Sequence, residues 1–364
     1  DWLSNWHRYL CFFEAAASHY KDPNLKWAAA TIARKFIDFN NPTNVGLASF
    51  FLDCYLWGDD SVQAVPPKTL SEEVMEDVQG KKIVFRNGWD KSSTYLLLNY
   101  RDEGDGGLNF RDYLRDTIPV EEEKMTHGHS DENSIVLLMS GSSVLLHDGG
   151  YRDYMPSGPY GAYRQVYFHN RLCVRPEKIW MGQKQGEYRY SIRDAVPGQG
   201  ILEFLHNAGS YRIVRTRKVD FLALSDFDYS RTRVIDDNMG YEWDRIITFI
   251  KNPEIFVVFD IFKSRKEEFF TLSNLWHTRK ILEQGEHWYD TVYDRIQNED
   301  LPAEKYLLVI FPLTHYRVEG AEPEKRHYQD ELVIHQTTAQ HFELSETVGF
   351  ITVLIPHSAS ESAE

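Results

Sequence analysis

Cysteine is scarce in this chain. The three present, Cys11, Cys54 and Cys173, are an odd number in 364 residues and set up no disulfide framework. Cys11 and Cys54 fall inside apolar helical patterns, where they read as small core residues. Long apolar runs are missing as well, and none approaches the roughly 20 residues that a membrane-spanning helix needs. The start has no segment resembling a signal peptide, but Asp1 is not a natural initiating residue, so the compartment is not read directly from it. Basic excess is the third absence. Forty Lys and Arg against 55 Asp and Glu give a formal net charge of -15, which argues against a nucleic-acid partner. An acidic substrate stays open, because a cleft can be locally basic on an acidic protein. There is no internal repeat, and only the tail 358–364 reads as disordered.

What is present is globular in kind: 42% hydrophobic and 14% aromatic residues, in a chain long enough for two domains or one large sandwich with an appendage. Residues 1–58 follow a helical pattern. Trp2, Trp6, Leu10, Phe13 and Ala17 recur at helical spacing, then Trp27, Ala30, Ile32 and Phe36 after a turn at Asp22-Pro23-Asn24. A third segment, Val45 to Trp57, is apolar on most sides, and three helices this apolar need other helices to cover them. The stretch 59–80, with Pro66-Pro67 and an acidic run, reads as a linker. From Lys82 onward, short strand patterns separated by turn signals continue almost to the end, with few helical stripes between them. The expectation is a helical segment over 1–70 and a mainly β domain over 80–357 built of antiparallel sheets packed face to face.

The chemistry concentrates between Met125 and Asn170. His127-Gly128-His129-Ser130-Asp131 leads into apolar Ile135 to Leu138, and an extended chain there would aim His127, His129 and Asp131 the same way. A second strand pattern, Ser143 to His147, ends at Asp148; a third, Gln165 to Phe168, delivers His169 and Asn170. An imidazole, a carboxylate and another imidazole from three neighbouring strand ends suit zinc, Zn2+, which takes nitrogen and oxygen ligands tetrahedrally. The long polar stretch 101–124 leads straight into the histidine pair and reads as a lid, a cleft wall or a solvated acidic loop.

The run His127 to Ser134, followed by Asp148-Gly149-Gly150-Tyr151 and His169-Asn170, resembles the heparinase II/III-like family of polysaccharide lyases. Phe85-Arg86-Asn87-Gly88-Trp89-Asp90 upstream, and Val257 to Phe262 with Leu275-Trp276-His277 downstream, are similar to that family too. The ordered set covers nearly the whole chain. The resemblance implies a helical toroid ahead of a large antiparallel β-sandwich, with the active cleft between them, and the helical segment here would be the end of that toroid. It implies β-elimination on a uronate-containing glycan. Carried over by position, His127 is the catalytic histidine, and His129, Asp148 and His169 hold a structural zinc.

The remaining roles are candidates of lower specificity. Arg86 or Arg164 would neutralise the substrate carboxylate through paired hydrogen bonds. Tyr151 and Tyr160, with Tyr154 and Tyr163, would stack on sugar rings or supply a phenolic base, or simply pack. Asn133 and Asn170 are donors to ligands or substrate, or turn-closing residues; Trp276-His277 reads as a buried pair. Two features depart from the family: Gly149-Gly150 stands where Pro-Gly is expected, and the toroid's Asn-His pair and catalytic tyrosine are not identifiable. Asn5-Trp6-His7 sits too close to His127 in sequence, and Tyr20 and Tyr55 read as core packing. A chain without those groups would hold zinc without catalysing. The rival readings are a zinc hydrolase using His127, His129 and His169 around an open position, and a sandwich that only binds acidic polysaccharide. A periplasmic or secreted location follows from the substrate class alone; oligomeric state is left open.

Overall fold

The computed structural model describes residues 2–37, 48–74, 81–100, 131–148, 166–176, 214–237, 239–296, 299–325 and 330–361. The chain divides into two compact units, Asp1–Thr69 and Leu70–Glu364.

Among the described residues the first unit holds three helices, α1 (Trp2–Tyr20), α2 (Pro23–Phe36) and α3 (Ala48–Trp57). The Asp22-Pro23-Asn24 signal acts as a helix start: Asp22 Oδ1 accepts from the backbone N–H groups of Asn24 (2.7 Å) and Leu25 (3.2 Å), and Pro23 occupies the first helical position. Trp6 stacks on Phe36 with ring centroids 5.6 Å apart, and Lys26 bridges back to Glu14 at 2.7 Å, joining α1 to α2. Tyr20 and Tyr55 correct the sequence reading: they are 71% and 83% exposed, on helix faces that the described residues leave uncovered. Phe12, Leu56 and Trp57 are exposed with them.

The second unit is antiparallel β throughout its described sheets. One sheet runs in order β1 (Glu72–Val74), β2 (Lys82–Arg86), β3 (Tyr95–Asn99), β4 (Ser134–Ser140) and β5 (Ser143–His147). Part of the expected linker is thus a strand, with Glu72 registered on Val84. A four-stranded sheet contains β6 (Leu172–Pro176), β11 (Glu268–Thr278), β17 (Val318–Lys325) and β18 (Asp330–Phe342) in the order β17-β18-β11-β6. The eight-stranded sheet is made of β7 (Arg215–Ala223), β8 (Phe227–Asp236), β9 (Tyr241–Lys251), β10 (Glu254–Ser264), β12 (Lys280–Gln284), β13 (Trp288–Val292), β16 (Lys305–Ile310) and β19 (Thr347–Ser358), ordered β12-β13-β16-β19-β10-β9-β8-β7. A small ribbon, β14 (Arg295–Ile296) with β15 (Glu299–Asp300), completes the list.

Alternation decides which face goes inside. Along β10, Phe256, Val258, Asp260, Phe262 and Ser264 are buried while the residues between them are not. Those inward residues meet two different partners. Phe249, Phe256, Leu307 and Leu354 of the eight-stranded sheet pack with Phe85, Leu96, Leu138 and Leu145 of the five-stranded one, together with Trp276 and Ile334. Trp243, Phe262 and Phe350 pack with Leu172, Phe270 and Phe342 of the four-stranded sheet. The architecture is a β-sandwich in which one broad sheet faces two smaller ones, as expected.

Two local expectations are corrected. Gln165 to Phe168 is not a third strand of the motif: Val166–Phe168 form one turn of 3-10 helix, and the next strand, β6, belongs to another sheet. The tail is ordered further than its composition suggests, since β19 reaches Ser358 and Glu361 N–H bonds to Ser358 O at 2.9 Å.

Candidate functional site

The described part of the motif converges at one end of the β4–β5 hairpin. Its turn, Gly141-Ser142, has φ of 55° and 66°, the positive values that a tight two-residue hairpin requires. That turn folds β5 back along β4, so Ser134, first in β4, and Asp148, just past β5, lie at the same end. Ser134 Oγ donates to Asp148 Oδ2 at 2.6 Å, and Asp148 N–H bonds to Val136 O at 3.0 Å.

His169 enters from the 3-10 turn. Its Nδ1 lies 2.5 Å from Asp148 Oδ1, with both residues buried. Burial alone would raise the Asp148 carboxyl, but the His169 charge, the hydrogen bond to it and the one from Ser134 reverse this and hold it well below the usual carboxylate range. Burial likewise disfavours a charged imidazole, yet Asp148 and, further off, Asp131 push His169 upward. The pair therefore favours an ionised Asp148 beside a protonated His169.

A layer of polar residues supports the pair, every one of them buried. Asn99 donates to Asp131 Oδ2 at 2.6 Å, and Arg171 is ion-paired with Glu132 while its guanidinium lies over the Trp243 ring at 5.0 Å. Asn133 holds φ 55°, the left-handed conformation that asparagine tolerates better than most residues. Its fully buried carboxamide finds no hydrogen-bond partner among the described residues. Asn170 fastens the segment at both ends of its side chain: Nδ2 donates to Ile135 O at 3.0 Å and Oδ1 accepts from His277 N–H at 2.7 Å.

Arg245, fully buried in β9, binds the layers together. All five of its N–H donors are used. Nε and Nη2 hold the Asp260 carboxylate at 2.8 and 2.9 Å, Nη2 also reaches Asn274 Oδ1 at 3.3 Å, and Nη1 donates to the carbonyls of Asn133 and Asn170 at 2.7 Å each. Trp243 Nε1 and Asn274 Nδ2 supply Asp260 with two further bonds. One guanidinium thus fixes the backbone of both motif segments from across the sandwich.

Of the residues singled out by sequence, Asp148, His169, Asn133 and Asn170 are brought together. Arg86 is not. It pairs with Tyr95, which pairs with Met139, whereas Ser134 pairs with Asn99; Arg86 therefore stands at the other end of this sheet, roughly 16 Å along the strands. Its guanidinium stacks on Trp89 at 3.6 Å and Tyr95 at 5.1 Å, a framework role. His127, His129, Tyr151, Tyr160 and Arg164 lie outside the described residues. Trp276 and His277 are fully buried, as expected. Glu132, Arg171, Arg245 and Asn274 were not singled out. A charge at an inward position of an apolar strand was the available signal, since Arg245 precedes Ile247 and Phe249 on one face and Asp260 lies between Val258 and Phe262 on the next strand.

The described half of the expected zinc site offers one nitrogen and one carboxylate donor, both buried and converging, with a serine orienting the carboxylate; this donor set fits zinc. Elsewhere, ligand atoms of Glu267, His341 and Glu343 lie within 4.8 Å of one another on the surface, a group able in principle to take a metal ion. No helix among the described residues is long and apolar enough to cross a membrane.

No family model matches the chain, and no curated protein does. Solved structures do. The chain is similar to heparan sulfate lyase HepC from Pedobacter heparinus (15% identity, TM-score 0.54, covering 94% of this chain and 43% of that one). It is similar to a heparinase III gene product (14% identity, TM-score 0.54, 92% and 41%) and to another heparinase III (14%, 0.54, 87% and 42%). The chain spans less than half the length of each.

Proposed function

On the premise of a heparinase-like fold, we propose that this chain is the β-sandwich part of a polysaccharide lyase that cleaves a uronate-containing glycan by β-elimination. The observation that carries the reading is the buried convergence of Asp148, His169 and Ser134 beneath the turn Asp131–Asn133, which follows directly on the segment holding His127 and His129. His129, Asp148 and His169 would hold zinc. The ion would fix the three segment ends under the catalytic residue.

In the reaction a base removes the proton at C5 of the uronate, its electrons form the C4–C5 double bond, and the bond from C4 to the glycosidic oxygen breaks as an acid protonates that oxygen. No water is consumed. His127 is assigned proton transfer, which suits an imidazole whose unperturbed pKa lies near neutrality. Tyr151 is the candidate phenolic partner, Tyr160 a stacking platform for a sugar ring, and Arg164 the candidate neutraliser of the carboxylate, with Arg86, at the other end of its sheet from Asp148, the second candidate. Asn133 and Asn170 are the candidate donors to substrate. The substrate class favours a periplasmic or secreted setting.

The test begins with metal content. Near-stoichiometric zinc in the parent and its loss in both His129→Ala and His169→Ala support the site; a folded, zinc-free parent refutes it. Uronate polymers are then screened for the ultraviolet absorbance of an unsaturated product, which His127→Ala should abolish. Saturated reducing ends would instead identify a hydrolase, and glycan binding that survives His127→Ala without any product would identify a binding module.

A further inference from the structure

The helical unit holds a pair of thiols that sequence spacing alone does not connect. Cys11 on α1 and Cys54 on α3 are 43 positions apart, yet their Sγ atoms approach to 3.2 Å. The approach is built into the helix contact. Cys11 and Glu14 follow one ridge of α1, while Cys54 and the following Gly58 lie one turn apart at the end of α3. A Cβ at Gly58 would come within 2.5 Å of Cys54 O, so glycine lets α3 end directly after the turn that carries Cys54, with Glu14 Oε2 of α1 at 3.3 Å from the same point. The Lys26–Glu14 bridge at 2.7 Å holds the same turn of α1 from its other side. Both thiols are half-buried, neither sealed in the core nor open to solvent.

We propose that Cys11 and Cys54 form an intramolecular disulfide that staples α1 to α3 when the chain matures against a disulfide donor. The bond needs the two sulfurs to close by only about 1.2 Å, to the roughly 2.0 Å of an S–S bond. The step is a thiol–disulfide exchange. One cysteine thiolate attacks the donor's disulfide and releases a thiol; the second cysteine displaces the remaining half, forming the protein S–S bond. Two protein thiols become one disulfide, and the donor becomes two thiols. Burial pushes the Cys54 thiol up to about 12, and the Cys11 thiol beside it adds to the rise. So little thiolate makes Cys54 a slow nucleophile in the folded chain. Cys173 takes no part: it is fully buried in β6, and its own burial pushes it up to about 12. This inference does not depend on the proposed activity.

The test uses the full chain, refolded in a buffer of oxidised and reduced glutathione and then alkylated under denaturing conditions. Digestion without reductant should give a linked peptide pair containing Cys11 and Cys54, with Cys173 the one alkylated thiol. The linked form should keep the circular-dichroism spectrum of the reduced form, and Cys11→Ser or Cys54→Ser should each remove the link. Three alkylated thiols, a link through Cys173, glutathione adducts without the internal link, or a link formed only with loss of helical signal would each overturn the proposal.

Discussion

Arg245 offers the sharpest test of how the site is held. Replacing it with methionine keeps an unbranched stem but removes all five donors, orphaning the Asp260 charge and the carbonyl of Asn133, while the Asn170 carbonyl keeps the Ile135 N–H at 3.2 Å. Removing one partner of a buried ion pair costs about 3–5 kcal/mol. Asp260 retains Trp243 Nε1 and Asn274 Nδ2, which places its share near the lower figure, while the orphaned Asn133 carbonyl adds about 1–3 kcal/mol. Arg245→Met is therefore expected to lose about 4–6 kcal/mol, a large part of what a domain of this kind has. The assay is equilibrium urea unfolding followed by tryptophan fluorescence, for which Trp243 and Trp276 report directly because they flank the guanidinium at 5.1 and 5.5 Å. The same reasoning demands coupling: in Arg245→Met/Asp260→Asn the orphaned charge is gone, and about 2 kcal/mol should return relative to the sum of the single changes. A loss below about 2 kcal/mol in Arg245→Met, or strict additivity in the double variant, would refute the view that this ion pair holds the motif.

Further outcomes follow from other contacts. Asp148→Asn keeps the shape but not the charge beside His169, and should weaken zinc binding at least ~10-fold in competition with a chelating dye. Asn170→Ala strands the His277 N–H and the Ile135 carbonyl, both buried, and should cost about 2–4 kcal/mol in the same urea assay. His335 is buried on β18, where desolvation pulls its imidazole down to about 4. The unfolded chain binds that proton at about 6.5, so its contribution is complete above that pH and lost as pH falls toward 4, by roughly 3 kcal/mol in all. His335→Gln should flatten that slope in pH-dependent unfolding.

The sandwich was legible because apolar and β-branched runs mark its strands, alternating in β10, β16 and β19 and continuous in β11; these and β9 fall where those runs placed them. β18 was not, since its buried stretch includes His335, Gln336, Thr337 and Thr338, polar residues that leave no hydrophobic trace; His335 bonds to Thr337, Thr337 to Ser273 on β11, and Gln336 to Leu313 O and Glu319. At the site, Asp148 and His169 were readable as types in order, and their convergence depended on a tight hairpin turn that glycine and serine announce only weakly. Val166–Phe168 misled because a three-residue apolar run looks the same in a strand and in a 3-10 turn. Arg86 misled for another reason: arginine beside an aromatic suits a sugar site and a stacked framework equally well, and only strand register separates them.

β11 carries a last consequence. From Phe270 to Thr278 every residue is buried, so the strand is shielded on both faces and has neighbours along both edges. Amide protons in such a place exchange with solvent only when the whole unit opens. Through the Asn170–His277 bond the motif is moored to that strand, and it inherits the same immobility. Deuterium uptake across Glu268–Thr278 would then measure the unit's global opening, and the groups moored there form a rigid bench to which any bound molecule must conform.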